Sequence, residues 1–234
     1  FIQNNVELII TMLELARRFQ PKVFLQVSTD EVYGSAPLGT RYREWDTILP
    51  SNPYAASKAA QEAIAISYWR TYDVPLVITN TVNNFGENQD NEKYLSRLIK
   101  QIHTGETVTI HGNDQYIGGR YYLYVDNHAD AIRHIIQNLP VKMCKGEQDR
   151  PLRFNVTSDD ELDNREAAIL VAELMGKELK YKLVDFHTER KGHDRRYALD
   201  GTKLKETGWV MPFGLKESLK KYIDWSLNNK RWLD

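Results

Sequence analysis

The sequence predicts an α/β protein, a parallel sheet layered with helices and joined to a smaller α/β lobe. Three observations carry this expectation. Up to residue 80, helical and strand patterns alternate with short links, as parallel strands joined by crossover helices require. The two strand candidates in that stretch are continuous apolar runs, the pattern of strands buried on both faces. Beyond it the elements become shorter and less regular, which marks a second lobe.

Each element has its own signal. Val6, Ile9, Ile10, Leu13 and Ala16 share one face of a first helix, and Leu8, Met12, Leu15 and Phe19 form a second apolar stripe. A helix apolar on two sides needs two partners, and a sheet and a second subunit would supply them. Lys22–Ser28 reads as a buried strand that ends in the polar cluster Ser28-Thr29-Asp30-Glu31. A loop with Gly34, Pro37 and Gly39 follows. The next helix opens at Ser51-Asn52-Pro53 and runs to Tyr72, with Asn52 suited to the N-cap and Pro53 to the first helical position. Pro75–Asn80 is the second buried strand. The spacing then predicts a helix over Glu92–His103 closed by Gly105, a strand at Val108–Ile110, an aromatic strand over Tyr121–Val125 and a helix over Asn127–Asn138. A short strand at Arg153–Val156 and a helix over Arg165–Met175, stopped at Gly176, come next. A final helix carries Leu215, Leu219, Tyr222, Ile223 and Leu227 on one face. This layout assigns residues 1–85 and about 120–138 to the sheet domain, and 86–119 and 139–234 mainly to the smaller lobe.

Composition narrows the function. The 234 residues are 41% apolar and 27% charged, as in an ordinary globular chain. A net charge of -1 does not provide the basic field that a nucleic-acid partner needs. The single cysteine, Cys144, cannot form an internal disulfide or a cysteine metal site, which fits a reducing, cytoplasmic location. His103, His111, His128 and His134 show no ligand spacing, so no metal is expected. No apolar run approaches the roughly 20 residues that span a bilayer, and no signal peptide is recognisable, so no membrane partner is expected either.

Two constellations point to chemistry. Tyr54 and Lys58 stand at i, i+4, on one face of a helix just after its start. An ammonium beside a phenol would lower the tyrosine pKa and let it take a proton from a hydroxyl group. By itself the pair is more often a solvated helix face. Asp30 and Glu31 follow the end of a strand, where open parallel sheets bind ligands, and two neighbouring carboxyls can divide into acid and base. By themselves they more often begin a solvent loop.

Together the motifs resemble a known family. Ser28-Thr29-Asp30-Glu31-Val32-Tyr33-Gly34 followed by Asn52-Pro53-Tyr54-Ala55-Ala56-Ser57-Lys58 is similar to the extended short-chain dehydrogenases, in particular the dTDP-glucose 4,6-dehydratases. Asn83-Asn84-Phe85-Gly86, Glu92-Lys93, Tyr122–Ala129 and Arg190–Tyr197 continue the likeness, which covers essentially the whole chain. The resemblance implies a Rossmann-like sheet with a substrate-binding lobe, NAD as cofactor and a nucleotide-diphosphate sugar as substrate. It also implies a homodimer formed through helices 2–20 and 53–72. It gives Tyr54, helped by Lys58, the sugar 4-hydroxyl proton, Glu31 the C5 proton, and Asp30 the acid role towards the departing 6-hydroxyl. Thr29 would bond the C4 oxygen. Tyr54, Lys58 and Asn84 would contact the cofactor. Asn83, Lys93, Arg120, Asn155, Arg190 and His193, with Thr29, would contact the substrate. The bland reading of Asn83 and Asn84 is a pair of turn asparagines.

The chain also departs from the family pattern. It has no Gly-rich strand-to-helix turn for the NAD pyrophosphate, so it is expected to be the N-terminally truncated, larger part of such a protein. Gly118-Gly119 reads as an insertion before Arg120, which unsettles the placing of that arginine. A nucleotide-sugar epimerase or decarboxylase of the same superfamily, or a non-catalytic fragment, are the competing readings.

Overall fold

The computed structural model describes residues 2–113, 116–139, 149–185 and 194–229. It is an α/β structure that divides into two compact units. The first comprises residues 1–82, 131–157 and 192–210, and the second residues 83–130, 158–191 and 211–234.

The first unit is built on a parallel three-stranded sheet. Its strands are β1 (Phe24–Thr29), β2 (Leu76–Thr81) and β7 (Leu152–Val156), in the order β1-β2-β7. The central strand β2 is buried along its whole length, which explains its continuous apolar run. Helices α1 (Ile2–Phe19) and α2 (Pro53–Tyr72) pack with this sheet. Their shared core joins Ile9, Leu13 and Ala16 of α1 to Ala65 and Trp69 of α2 and to Leu76 and Ile78 of β2. Of the first apolar stripe on α1, Ile9, Leu13 and Ala16 are buried while Ile10 is exposed, and the second stripe is uncovered. Leu8, Met12, Leu15 and Phe19 lie exposed, Phe19 at 79%.

The second unit holds two three-stranded sheets. In one, β6 (Gly119–Tyr124) lies between β3 (Asn83–Phe85), parallel to it, and β8 (Glu161–Asp163), antiparallel. In the other, β4 (Val108–Asn113) lies between β5 (Tyr116–Ile117), antiparallel, and β9 (Tyr181–Val184), parallel. Helices α3 (Tyr94–Thr104), α5 (Asn164–Met175) and α7 (Leu215–Asn228) enclose a core containing Phe85, Leu98, Ile99, Ile110, Tyr124, Val171 and Tyr222. Asp163 begins α5 with a reciprocal capping box to Glu166, and Gly176 ends it in the left-handed conformation. Helix α4 (Val125–Asn138) runs across the division, and the short α6 (Thr202–Glu206) belongs to the first unit.

Several boundaries differ from the sequence expectation. β7 lies in the first unit because it pairs with β2 in register, Asn80 opposite Asn155. Residues 194–210 join the same unit through the Tyr42–Leu199 bridge, with Tyr42 N–H bonding the Ala198 carbonyl at 2.9 Å. Residues 120–130 lie instead in the second unit, because β6 pairs with β3 and β8. Gly119 is the first residue of β6, and a Cβ there would lie 3.0 Å from the Glu161 carboxylate. Val125, expected in the aromatic strand, is the first residue of α4, which follows β6 without a break.

Candidate active site

The end of β1 sets out the carboxylates. Thr29 closes the strand in an extended conformation and caps a single 3₁₀ turn over Asp30–Tyr33, its hydroxyl oxygen accepting the Glu31 N–H at 3.3 Å. The same hydroxyl donates to Asp30 Oδ1 at 3.1 Å. Asp30 is almost wholly buried, while Glu31 is half-buried. Gly34 ends the turn at φ +76°, where a Cβ would lie 2.4 Å from the Leu49 carbonyl oxygen. Only glycine meets both conditions without strain.

Helix α2 brings in the second constellation. Asn52 caps it, its Oδ1 accepting the Ala55 N–H at 2.8 Å. Asn52 also turns its Nδ2 to Glu31, donating to Oε2 at 2.9 Å. Tyr197, within the Arg190–Tyr197 segment singled out above, adds a longer bond from its hydroxyl to the same oxygen at 3.4 Å. Two other residues of that segment are tied to the first unit. Asp194 Oδ1 accepts from the Ser51 hydroxyl at 2.8 Å, and Arg196 donates to the carbonyls of Pro37 and Thr40.

Tyr54 and the two carboxylates therefore share one electrostatic environment. Burial pushes the Tyr54 phenol up from its ordinary pKa, and the charges of Glu31 and then Asp30 push it further. This corrects the expectation that Lys58 lowers it. Lys58 stands one turn along but reaches across to the sheet, donating to the Val27 carbonyl at 2.7 Å and to Gln61 Oε1 at 2.9 Å. Burial lowers the pKa of Lys58 itself, against the attraction of Glu62.

A buried network that the sequence did not disclose supports the end of β1. Arg153 on β7 and Glu62 on α2 form an ion pair at 2.5 Å, with both side chains almost fully enclosed. Asn80 on β2 bonds Glu62 Oε1 at 2.8 Å and the Thr29 carbonyl at 3.1 Å with its Nδ2. Arg153 also donates to the Glu44 carbonyl at 2.9 Å and stacks over Trp45 at 4.3 Å. Arg153, Glu62 and Asn80 were hidden because three separate elements contribute one residue each.

The remaining candidates fall elsewhere. Asn155 is buried, and its amide donates to the carbonyls of Tyr42 and Asp200 at 2.9 and 3.1 Å. Asn83, Asn84, Lys93 and Arg120 lie in the second unit. Asn83 and Asn84 belong to β3 and are not turn residues, so their bland reading fails. Lys93 is exposed at the start of α3, and Arg120 on β6 bonds the Gly119 carbonyl at 2.8 Å. Arg190 and His193 lie outside the described residues.

The site has features that fit a dinucleotide's ribose. The Lys58 ammonium carries three donors, and the two bonds above leave one for a ligand hydroxyl. Tyr54 lies on the same helix, at the C-terminal edge of a parallel sheet, where such ligands bind. Among the described residues, no group of three or more side chains could hold a metal ion, and no helix is long and apolar enough to cross a membrane.

A parallel sheet whose strand end carries Thr-Asp-Glu beside a helix start carrying Tyr-x-x-x-Lys defines a nucleotide-sugar dehydratase of the short-chain dehydrogenase type. Residues 1–222 match the family described as GDP-mannose 4,6 dehydratase, and the chain belongs to it. It is 34% identical over 229 residues to the low-salt glycan biosynthesis protein of Haloferax volcanii, covering 98% of this chain and 69% of that one. It is 36% identical to a probable dTDP-glucose 4,6-dehydratase of Sinorhizobium fredii, covering 99% and 67%. The dTDP-glucose 4,6-dehydratase of Bacillus anthracis, solved in complex with NAD, superposes with a TM-score of 0.86 at 30% identity over 100% of this chain and 72% of that one.

Proposed function

We propose that the protein dehydrates a nucleotide-linked hexose, dTDP-glucose, to its 4-keto-6-deoxy form with NAD+ as cofactor. The observation that carries the reading is the gathering of Asp30, Glu31 and Tyr54 at the end of β1, where both carboxylates act on the phenol. A simple alcohol oxidation needs the tyrosine. An elimination also needs an acid and a base, and the carboxyl pair provides them.

In this reading Tyr54 takes the proton of the sugar 4-hydroxyl. Bound NAD+ would supply the hydride chemistry between C4 and C6. The C4 carbonyl acidifies the neighbouring C5 hydrogen, and Glu31 removes it. Asp30 gives its proton to the departing 6-hydroxyl, and water leaves. Hydride at C6 and a proton at C5 complete the methyl-bearing product. The Thr29 hydroxyl, now donated to Asp30, would turn to the C4 oxygen as charge develops there. Lys58 and Tyr54 would hold the nicotinamide end of the cofactor. Asn84 is kept as a cofactor contact, and Asn83, Lys93, Arg120, Arg190 and His193 as substrate contacts.

The exposed apolar stripe of α1, Leu8, Met12, Leu15 and Phe19, supports a homodimer formed through α1 and α2. Sedimentation at micromolar concentration tests it. A dimer that Leu8→Glu dissociates is expected, and a monomeric native protein would count against it.

The function is tested by expressing the protein from its full coding sequence and supplying dTDP-glucose and NAD+. A 4-keto-6-deoxy product, identified by mass and NMR and suppressed by Glu31→Gln and by Tyr54→Phe, is the expected result. A C4-inverted sugar, or carbon dioxide from a uronic acid analogue, would move the protein to an epimerase or decarboxylase activity.

A further inference from the structure

We infer that Asn52 is a positioning residue for the elimination, holding Glu31 while fixing the start of the helix that presents Tyr54. The inference rests on the reading of Glu31 as the base for C5. Its structural basis is the division of one carboxamide between two tasks. Oδ1 accepts the Ala55 N–H at 2.8 Å, and Nδ2 donates to Glu31 Oε2 at 2.9 Å. An amide oxygen only accepts and an amide nitrogen only donates, so rotating the group by half a turn would break both bonds. The orientation of the side chain is therefore set by the helix on one side and by the carboxylate on the other.

No other common N-cap residue performs both tasks. Asp caps a helix as well as Asn but has no donor to offer a carboxylate. Ser caps it with an oxygen one bond from Cβ and is too short to bond both groups. Glu31 has a second, longer contact from Tyr197 to the same Oε2, so the carboxylate is anchored at one oxygen by two neutral donors. Tyr54 lies only two residues beyond Asn52. A shift of the cap would therefore move the group that acts at O4 relative to the group that acts at C5. Misplacements of about 1 Å can cost two orders of magnitude in rate.

The test has a stability arm and a kinetic arm. Asn52→Asp keeps the cap and sets two carboxylates against each other. A fall in Tm of about 2–4 °C is expected for a chain of this size. Adding Glu31→Gln to Asn52→Asp restores a donor–acceptor pair with the roles exchanged and should recover that loss. In the kinetic arm, Asn52→Asp and Asn52→Ser should lower kcat about tenfold with KM within about twofold, the mark of an interaction that matters after binding. Substrate deuterated at C5 should show a larger isotope effect on kcat in both variants than in the native protein, because proton removal has become slower. A loss of structure alone would not change that partition.

The inference is overturned if Glu31→Gln fails to rescue Asn52→Asp, or if kcat falls with the C5 isotope effect unchanged. If the native protein forms no 4-keto-6-deoxy sugar, the dehydratase reading fails and takes the kinetic role with it. The stability cycle, which needs no substrate, tells that failure apart from loss of the Asn52–Glu31 contact.

Discussion

Tyr54 stands where burial and two carboxylates all favour the neutral phenol, so the protein alone does not prepare it as a base. The resemblance explained the tyrosine through its lysine, yet Lys58 is bonded to the Val27 carbonyl and Gln61. Helical spacing can place two side chains on one face, but it cannot say which neighbour each will choose. One consequence can be measured. Removing the Glu31 charge should let Tyr54 ionise at a lower pH than in the native protein. Ultraviolet titration of Glu31→Gln, with Tyr54→Phe to assign the signal, checks the direction; an unshifted transition would detach Glu31 from the phenol. The Arg153–Glu62 pair gives a second prediction at this scale. Arg153→Met leaves a buried carboxylate alone and should cost about 3–5 kcal/mol in denaturant unfolding. Adding Glu62→Leu should recover much of it. Asp30, Glu31, Tyr54 and Lys58 were legible as a group because their motifs are contiguous. Glu62, Asn80 and Arg153 were not, because three elements contribute one residue each.

Among the elements, the 3₁₀ turn over Asp30–Tyr33 is constrained at the glycine that closes it. Gly34→Ala would force a side chain into a positive-φ extended conformation that only glycine adopts readily, at about 1–3 kcal/mol, and against the Leu49 carbonyl as well. A lower Tm together with lower turnover is expected, since the turn carries the carboxylates; an unchanged Tm would contradict the geometry. The start of α2 was readable from Asn52-Pro53, and the end of α5 from Gly176, because caps are local chemistry. Strands β3, β5, β8 and β9 went unread. They have two to four residues each and exist through pairing with distant partners, which a short window of sequence does not contain. The two stripes of α1 were both visible, but the structure assigns only Ile9, Leu13 and Ala16 to the core.

At the scale of the whole molecule, buried phenols set an alkaline limit. Burial raises the pKa of Tyr33, Tyr54, Tyr122, Tyr124 and Tyr222. The unfolded chain would ionise these groups near the ordinary value of about 10, while the folded chain resists until higher pH. Their contribution is therefore complete below that value and lost as pH rises towards the folded values. Urea midpoints should fall between about pH 9 and pH 11, and a flat profile would contradict the burial of these rings. The α/β class and a second lobe were legible from the alternation in the first half and the irregularity of the second, whereas the allocation of residues to the two units was not. It depends on β7 and residues 194–210 returning to the first sheet, a long-range choice. The central claim, that hydride leaves C4 and returns at C6 around a loss of water, is tested most directly by turning over dTDP-glucose deuterated at C4. The account predicts a 4-keto-6-deoxy sugar with the deuterium in its C6 methyl group and a solvent proton at C5. Deuterium retained at C4 of an inverted sugar, or a product that keeps its 6-hydroxyl, would contradict it.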